Sequence, residues 1–236
     1  MQAVILAGGK GTRLLPFTNV FPKPLVPLGE KPILDTILRQ LKHFGFTHVT
    51  LAVGYMAEMI QTYVNHGERY GLDITYSFED EPLGTVGPLA QMDHLEQSFL
   101  VMNGDVITNL DYSDLFQFHH KHKGLVTIGT YEKNFKIDLG IIDHEVNNHI
   151  TDYIEKPIRV YQVSMGVYVF EREVLQYIEP HKYLDFPDLV KRLLANGRSV
   201  VSYPFNGYWL DIGNHSDYEK ALEEYENIKG NLHLDP

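Results

Sequence analysis

The chain of 236 residues contains no cysteine. Disulfide bonds, zinc–thiolate sites and cysteine nucleophiles are therefore excluded, and a reducing compartment is favoured. No apolar run approaches the roughly 20 residues that cross a bilayer, and the first residues lack the pattern of a secretory signal peptide. We therefore expect a cytoplasmic protein that has no membrane partner.

Positive charge is also scarce in this sequence. Twenty Lys and Arg residues stand against 31 Asp and Glu residues, and the formal net charge at pH 7 is −11. Proteins that bind nucleic acid usually show a basic excess, so we expect no nucleic-acid partner. A chain this acidic can bind phosphate groups only if it gathers cations locally or recruits a metal ion.

Several catalytic motifs are missing. The sequence has neither the Walker A spacing nor the third glycine of the dinucleotide fingerprint, and it contains no H-E-x-x-H and no G-x-S-x-G. These absences argue against P-loop NTPases, Rossmann dehydrogenases, zinc peptidases and α/β-hydrolases. The composition is ordinary for a globular protein, and the length fits a single domain over residues 1–236.

Strand-like and helix-like segments alternate in the first half of the chain. Apolar residues recur at helical spacing over 33–44, between Pro32 and Gly45, which are typical helix-start and helix-end residues. Such alternation predicts an α/β fold with a mostly parallel central sheet flanked by helices. The predicted strands are 3–7, 47–55, 73–79 and 98–105, and the other predicted helices are 56–67, ending at Gly67, and 112–124, ending at Gly124.

The second half of the chain differs from the first in that its predicted strands follow one another without a helix between them. Short links between its strand-like segments favour antiparallel additions to the sheet. The tail over 229–236 is expected to fray. The predicted strands here are 125–132, 139–145, 149–157 and 161–171, and the predicted helices are 172–178, 186–197 and 215–228.

Three of the predicted strands end in polar or glycine-rich loops. The first strand runs into "GGKGTR" (8–13), the third into "EDEPLGTVG" (79–87), and the fourth ends at Asn103-Gly104-Asp105. Ligands of open α/β sheets bind outside the carboxyl ends of the strands. We therefore expect these three loops to open on one crevice.

The loop over residues 8–13 suits a phosphate ligand. Its glycines let backbone N–H groups approach an anion closely, and Arg13 adds a guanidinium fork for phosphate oxygens. Lys23 follows in "FPKP", where the flanking prolines stiffen its backbone. The alternatives are a tight strand-to-helix turn for the loop and a surface position for Lys23.

Two aspartates follow apolar stretches in similar settings. Asp105 ends "FLVMNGD", and Asp211 lies in "YWLDIG". Each could be a cap or turn residue, but together they suggest one Mg²⁺ site, because hard cations take one or two carboxylates plus substrate phosphates. The "HHKHK" run over 119–123 is interpreted as a solvated helix end rather than a metal site.

The motifs, taken in order, identify a family. The chain resembles the sugar-1-phosphate nucleotidyltransferases, or NDP-sugar pyrophosphorylases, and within them the mannose-1-phosphate and heptose-1-phosphate guanylyltransferases are most similar. The resemblance covers nearly the whole chain through "LAGGKGTRLLPFT", "FPKPLVPLGEKPIL", "EDEPLGTVGPL", "VMNGDV", "IEKP", "MGVYVF" and "YWLDIG".

This resemblance implies a Rossmann-like, GT-A-like core. Residues 1–110 would form a nucleotide-binding half and residues 111–225 a sugar-phosphate-binding half, before a short tail. The implied reaction is Mg²⁺-dependent transfer of a nucleotidyl group from a nucleoside triphosphate, GTP foremost, to a sugar 1-phosphate, mannose or a heptose foremost, for polysaccharide and glycoconjugate synthesis. Cytidylyl or thymidylyl transfer to glucose 1-phosphate or an amino-sugar 1-phosphate stays open, as do a non-catalytic sugar-nucleotide sensor and a homodimer or larger homo-oligomer.

The resemblance also assigns site residues. Arg13 would hold the leaving pyrophosphate and Lys23 the reacting phosphates, while Asp105 and Asp211 would bind Mg²⁺. Ser164 departs from the asparagine that many relatives carry, which leaves the sugar open. The implied nucleotide-binding residues are Leu6, Ala7, Gly8, Gly9, Gly11, Thr12, Arg13, Glu81, Pro82, Gly84, Thr85, Asn103 and Gly104, and the implied sugar-phosphate-binding residues are Lys23, Gly140, Glu155, Lys156, Ser164 and Gly166.

Overall fold

The computed structural model of the protein describes residues 1–79 and 81–234. Its α-helices are α1 (Ile33–His43), α2 (Ala57–Val64), α3 (Tyr112–His122), α4 (Phe186–Ala195) and α5 (His215–Ile228). Its strands are β1 (Gln2–Ala7), β2 (Pro27–Leu28), β3 (Lys31–Pro32), β4 (His48–Val53), β5 (Asp73–Phe78), β6 (Ser98–Asn103), β7 (Val106–Thr108), β8 (Val126–Lys136), β9 (Ile141–His144), β10 (Ile150–Ile154), β11 (Ile158–Glu171), β12 (Val200–Phe205) and β13 (Trp209–Asp211).

A seven-stranded sheet forms the centre of the molecule, in the order β12-β8-β11-β6-β1-β4-β5. β11 runs antiparallel to both of its neighbours, β6 and β8. All the other neighbouring pairs are parallel. The predicted mixed, mostly parallel sheet flanked by helices is therefore confirmed.

Helices cover both faces of this sheet because alternate strand residues point to opposite sides. Ala3 and Ile5 of β1 are fully buried in the cluster that contains the apolar faces of α1, α3 and α5. Val4 is fully buried in the second cluster, with Leu189 and Leu193 of α4. This burial on both faces explains why β1 is a continuous apolar run rather than an alternating one.

β8 and β11 extend beyond the sheet as an antiparallel arm. Their pairing continues from Val126–Phe170 out to Lys136–Ile158, with an irregularity between Ser164 and Tyr168. The separate two-stranded ribbon of β9 and β10 lies between them in sequence. A second small pair matters for the site, since β13 runs antiparallel to β7 and places Asp211 opposite Val106.

Several predicted boundaries were wrong. The helix predicted to end at Gly67 ends at Val64, and Asn65 then takes a positive φ of 53°. Lys123, not Gly124, adopts the left-handed conformation that ends α3. The helix predicted over 172–178 is a 3₁₀-helix, and β12 was not predicted at all.

The tail is also better held than expected. Leu232 is fully buried, and its carbonyl oxygen accepts a hydrogen bond from Gln40 Nε2 at 2.7 Å. Residues 235 and 236 of the predicted fraying tail lie outside the described residues. Over residues 1–79 and 81–234, no helix combines the length and apolar character needed to cross a membrane.

Candidate active site

A cleft of about 780 Å³ opens where β1, β5 and β6 end. All three loops that were predicted to share a crevice contribute to its wall. Asp80 of the second loop lies outside the described residues. The predicted residues that line the cleft are Leu6, Ala7, Gly8, Gly9, Gly11, Thr12, Arg13, Lys23, Pro82, Gly84, Thr85, Asn103, Gly104 and Asp105.

The glycine-rich loop turns sharply after β1. Gly11 has a φ of +62°, and a Cβ there would lie 2.8 Å from Thr18 Cγ2, so only glycine fits this turn without strain. Thr18 Oγ1 donates a hydrogen bond to the Gly11 carbonyl oxygen at 2.9 Å, and this bond stabilises the turn. The loop therefore presents its backbone to the cleft in a defined shape.

Lys23 and Asp105 form an ion pair inside the cleft. The side chains are only 13% and 17% exposed, so solvent screens this pair weakly. One carboxylate oxygen, Asp105 Oδ2, accepts a hydrogen bond from the Lys23 ammonium. The other, Asp105 Oδ1, is buried and has no hydrogen-bond partner. A buried anionic oxygen without a partner is costly, and a ligand would relieve that cost.

Asp211 lies beside this pair. The Ile212 amide donates to the Asp105 carbonyl oxygen at 3.0 Å, which ties the two aspartate-bearing segments together. Burial, and then the charge of Asp105, raise the pKa of Asp211 to about 6, although Lys23 and Arg13 oppose the rise. The Arg13 guanidinium packs against Gly213, and a Cβ on Gly213 would lie 3.6 Å from both of its terminal nitrogens and from Asp211 Oδ2.

These two carboxylates fit a divalent cation. Asp105 has an unsatisfied oxygen, and Asp211 is held in an environment that disfavours its charge. A doubly charged hard cation would satisfy both groups at once. No cluster of three or more His, Asp or Glu side chains suited to a metal occurs in the described part of the chain, so phosphate oxygens of a substrate would have to complete the coordination.

Glu79 was not predicted as a site residue, yet it lines the cleft at the end of β5. Its Oε2 accepts the Leu83 amide hydrogen at 3.0 Å, and a Cβ on Gly8 would lie 2.5 Å from its Oε1. Burial raises the pKa of the Glu79 carboxyl, and the Leu83 hydrogen bond opposes that rise only in part. Because burial withholds water from this carboxylate, hydrogen bonds donated by a ligand would stabilise its charged form.

The segment before α4 forms the other unpredicted part of the wall. Tyr183 and Asp185 line the cleft, together with Lys10 and Tyr55. Asp185 Oδ1 accepts the Thr85 amide hydrogen at 3.1 Å, and Tyr183 donates its hydroxyl hydrogen to Asp185 Oδ2 at 2.5 Å. Asp185 directly precedes α4, a position typical of a helix cap, so its sequence position alone gives no sign of this contact.

Besides Asp211, six predicted site residues lie outside the lining of this cleft. Glu81 lies in the same loop as Pro82 but does not line the cavity. Gly140 lies beside Tyr153 and Glu155 next to the β9–β10 ribbon. There Tyr153 donates its hydroxyl hydrogen to Glu155 at 3.0 Å, and the Lys156 ammonium lies 3.9 Å from the same carboxylate.

Ser164 and Gly166 lie closer to the aspartates. Ser164 Oγ donates to the Tyr168 hydroxyl at 3.1 Å, and the Gly166 amide donates back to Ser164 Oγ at 3.4 Å. Burial, with Asp105 and Asp211 nearby, raises the pKa of Tyr168 to about 12. Tyr168, which Ser164 contacts, is therefore within electrostatic range of the two aspartates.

His119 departs from the interpretation of 119–123 as a solvated helix end. It is 1% exposed, and its ring nitrogens lie 2.8 Å from Thr127 Oγ1 and 2.9 Å from Glu171 Oε1. His120, Lys121, His122 and Lys123 are exposed, as expected. His119 is therefore a core histidine that connects α3 to the sheet.

Comparison with known proteins identifies the class of enzyme. The family model described as "Nucleotidyl transferase" matches residues 2–228. The chain belongs to this family, which confirms the resemblance seen in the motifs, and it is an enzyme of the nucleotidyltransferase type.

Individual relatives agree with this class. The chain is 33% identical to a mannose-1-phosphate guanyltransferase of Kluyveromyces lactis, over its full length and 72% of that protein. It is 31% identical to a UTP–glucose-1-phosphate uridylyltransferase of Synechocystis, over 94% of the chain and 62% of that protein. The crystal structure of HddC from Yersinia pseudotuberculosis superimposes with a TM-score of 0.75 at 26% identity, covering 95% of this chain and 99% of HddC.

Proposed function

We propose that the enzyme transfers a guanylyl group from GTP to a sugar 1-phosphate, mannose or a heptose, and releases pyrophosphate. The observation that carries this proposal is the meeting of Arg13, Lys23, Asp105 and Asp211 beside the glycine-rich loop at one rim of the sheet. Two cations, and two carboxylates that would hold a divalent ion, suit a pair of phosphate-bearing reactants. The compartment that we propose for the reaction is the cytoplasm.

The proposed chemistry needs no general base. A phosphate oxygen of the sugar 1-phosphate is already an anion at neutral pH, and it would attack the α-phosphorus while the bond to pyrophosphate breaks. The barrier then lies in bringing two anions together and in stabilising the leaving charge. Arg13 would hold the departing pyrophosphate, and Lys23 would lie at the reacting phosphate.

Asp105 and Asp211 would hold Mg²⁺, the divalent ion that we propose as cofactor. When bound, this ion supplies positive charge to the phosphate oxygens. The backbone of Gly8, Gly9 and Gly11 would orient the remaining phosphates. Positioning and electrostatics therefore carry the reaction, as in other phosphoryl and nucleotidyl transfers.

Glu79 supports guanine as the base. The Watson–Crick edge of guanine presents two adjacent donors, N1–H and N2–H, which a single carboxylate can accept together. Uracil and thymine present one N–H between two carbonyl oxygens, which a carboxylate would repel. The Glu79 carboxylate lies in the wall of the cleft with spare acceptor capacity, and Pro82, Gly84 and Thr85 would contact base and ribose beside it.

The sugar phosphate would bind toward the arm. Glu155 would accept sugar hydroxyl hydrogens, and Lys156 would pair with the sugar phosphate, while Gly140, Ser164 and Gly166 would contact the ring. Glu155 and Lys156 lie together next to the β9–β10 ribbon. The sugar named for the Kluyveromyces relative, mannose, supports the mannose assignment.

A panel of substrates tests this proposal. The purified protein is incubated with Mg²⁺, each nucleoside triphosphate in turn and each of several sugar 1-phosphates, and pyrophosphate release is measured. We expect the largest kcat/KM with GTP and mannose 1-phosphate or a heptose 1-phosphate. A preference for CTP, dTTP or UTP would overturn the guanine assignment, and no release with any pair would favour a non-catalytic sensor.

A further inference from the structure

Helix α5 lies along residues 15–27, in the part of the chain that carries Arg13 and Lys23. The helix begins at His215, four residues after Asp211. Tyr218 donates its hydroxyl hydrogen to the Pro27 carbonyl oxygen at 2.7 Å, and its ring lies 5.3 Å from that of Phe17. The segment that carries two of the proposed phosphate-binding cations thus packs on the helix that follows the proposed metal ligand.

Among the contacts that α5 makes with this segment, that of His215 lies nearest to Arg13 along the chain. Its Nε2 donates a hydrogen bond to the carbonyl oxygen of Leu15, because a carbonyl can only accept. Its ring also lies 5.8 Å from the ring of Phe17. Leu15 and Phe17 are 45% and 40% exposed, so burial of their own side chains holds this part of the segment only weakly.

The same stretch of chain contacts Arg13 from the other side. The Arg13 guanidinium packs against Gly213, two residues before His215. The carbonyl that His215 binds belongs to Leu15, two residues after Arg13 in the chain. Residues 213–215 therefore contact both the guanidinium of Arg13 and the backbone two residues beyond it.

We propose that His215 is a positioning residue for this reaction. By binding the Leu15 carbonyl oxygen, it fixes the position of the Arg13 guanidinium relative to Asp211. Arg13 can then bind pyrophosphate while the metal held by the carboxylates binds the reacting phosphates. This inference rests on the pyrophosphate-binding role proposed for Arg13.

A matched control exists elsewhere on the surface. His122, near the end of α3, also makes a hydrogen bond through a ring nitrogen to a backbone carbonyl, that of Phe118, at 2.8 Å. It is exposed, and its ring stacks on Phe118 at 3.8 Å. His122→Ala therefore removes the same kind of contact at a residue outside the cleft lining.

The experiment compares His215→Ala, His215→Gln and His122→Ala in the full-length chain. Pyrophosphate release gives kcat and KM for both substrates, and the fluorescence of Trp209, the single tryptophan, reports binding of Mg²⁺-pyrophosphate two residues from Asp211. For His215→Ala we expect kcat/KM for the triphosphate to fall about 3- to 10-fold, the size of one lost hydrogen bond. The Kd for pyrophosphate should rise by a similar factor, while KM for the sugar phosphate stays within about twofold.

The conservative variant separates positioning from bulk structure. His215→Gln keeps an N–H donor of similar reach, so it should recover most of the lost affinity, and His122→Ala should match the parent in every constant. A lowered melting temperature with an unchanged pyrophosphate Kd would overturn the inference, as would a Gln variant as impaired as the Ala variant. If the parent protein turned over no substrate pair, the proposed function would fail, but the pyrophosphate titration would still decide the role of His215.

Discussion

Replacing Asp211 by asparagine tests the electrostatics of the site most directly. In the metal-free protein, burial and the neighbouring Asp105 raise the pKa of Asp211 from 3.8 to about 6. The folded state therefore binds this proton more tightly than the unfolded state, and stability falls as pH rises from about 4 to above 6. At pH 7.5 the charged carboxylate is a source of instability that asparagine removes.

The magnitude follows from the size of the pKa change. A rise from 3.8 to about 6 corresponds to about 3 kcal/mol. This pKa already includes the opposing attraction of Lys23 and Arg13. The neutral amide would still be desolvated in the same buried position, so we expect a net gain of about 1–3 kcal/mol without metal. For a chain of this length, such a gain raises the melting temperature by about 3–10 °C.

The assay is thermal unfolding at pH 7.5, first in EDTA and then with Mg²⁺. In EDTA, Asp211→Asn should melt above the parent protein, whereas the exposed Asp93→Asn, outside the cleft, should melt with it. Adding Mg²⁺ should raise the melting temperature of the parent, because binding to the folded state alone stabilises it. The Asp211→Asn variant should gain less, and its turnover should fall by about 10² or more.

An Asp211→Asn variant that melts at or below the parent in EDTA would refute this account. It would mean that the carboxylate is stabilised by its surroundings, as a structural cap or turn residue would be. Equal stabilisation of both proteins by Mg²⁺ would show instead that Asp211 does not bind the ion. Both results can be obtained without knowing the substrate.

Three further predictions concern single side chains. Arg13→Ala and Lys23→Ala should each lower kcat/KM by about 10²–10³, and near-parental pyrophosphate release by either would contradict its role. Glu79→Gln should lower kcat/KM for GTP about 10-fold and shift the preference toward UTP, because an amide both donates and accepts; an unchanged GTP-to-UTP ratio would rule out base recognition by Glu79. Burial lowers the pKa of His119 below 6.5, although Glu171 opposes this shift. Burial of Glu171 is outweighed by its hydrogen bonds, so the pKa of Glu171 falls below 4.5. Stability should therefore be full above about pH 6.5 and decline in acid, and His119→Gln should flatten the decline in melting temperature between pH 7 and 5.

Local patterns sufficed for the elements that position the site. The continuous apolar run of β1 reflects burial on both of its faces, and the helical spacing of apolar residues in α1 reflects burial of one face. Gly45 follows the end of α1 with a φ of +77°, as its position predicted. The meeting of three loops also followed from sequence, because parallel strands all end at the same edge. Most residues that line the cleft lie in those three loops, and the resemblance to the family supplied the roles predicted for them.

β12 shows why one strand was missed. Pro204 lies within it, and proline usually argues against a strand because it lacks a backbone donor. β12 is the outermost strand of the sheet, where only one side needs hydrogen bonds. Its edge position, which depends on the whole topology, is what makes the proline acceptable.

The missed parts of the site come from contacts between distant segments. Thr85 and Asp185 are 100 residues apart, and each alone resembles a turn or cap residue. His119 likewise meets Glu171 from a strand 52 residues away, so its helix gave no sign of burial. Sequence patterns report local periodicity, whereas these pairs form only once segments far apart in the chain pack together.

The charge balance of the cleft constrains how a polyanion can enter it. The described residues that line it include three cations, Lys10, Arg13 and Lys23, and three carboxylates, Glu79, Asp105 and Asp185. Their formal charges cancel, and the whole chain carries −11, so a free triphosphate meets little net attraction. A triphosphate that arrives with a divalent ion brings the charge that the carboxylates need. We therefore expect Trp209 fluorescence to report tight nucleotide binding with Mg²⁺ and at least 10-fold weaker binding in EDTA, a difference of about 1.4 kcal/mol; equal affinities would mean that the cations alone suffice.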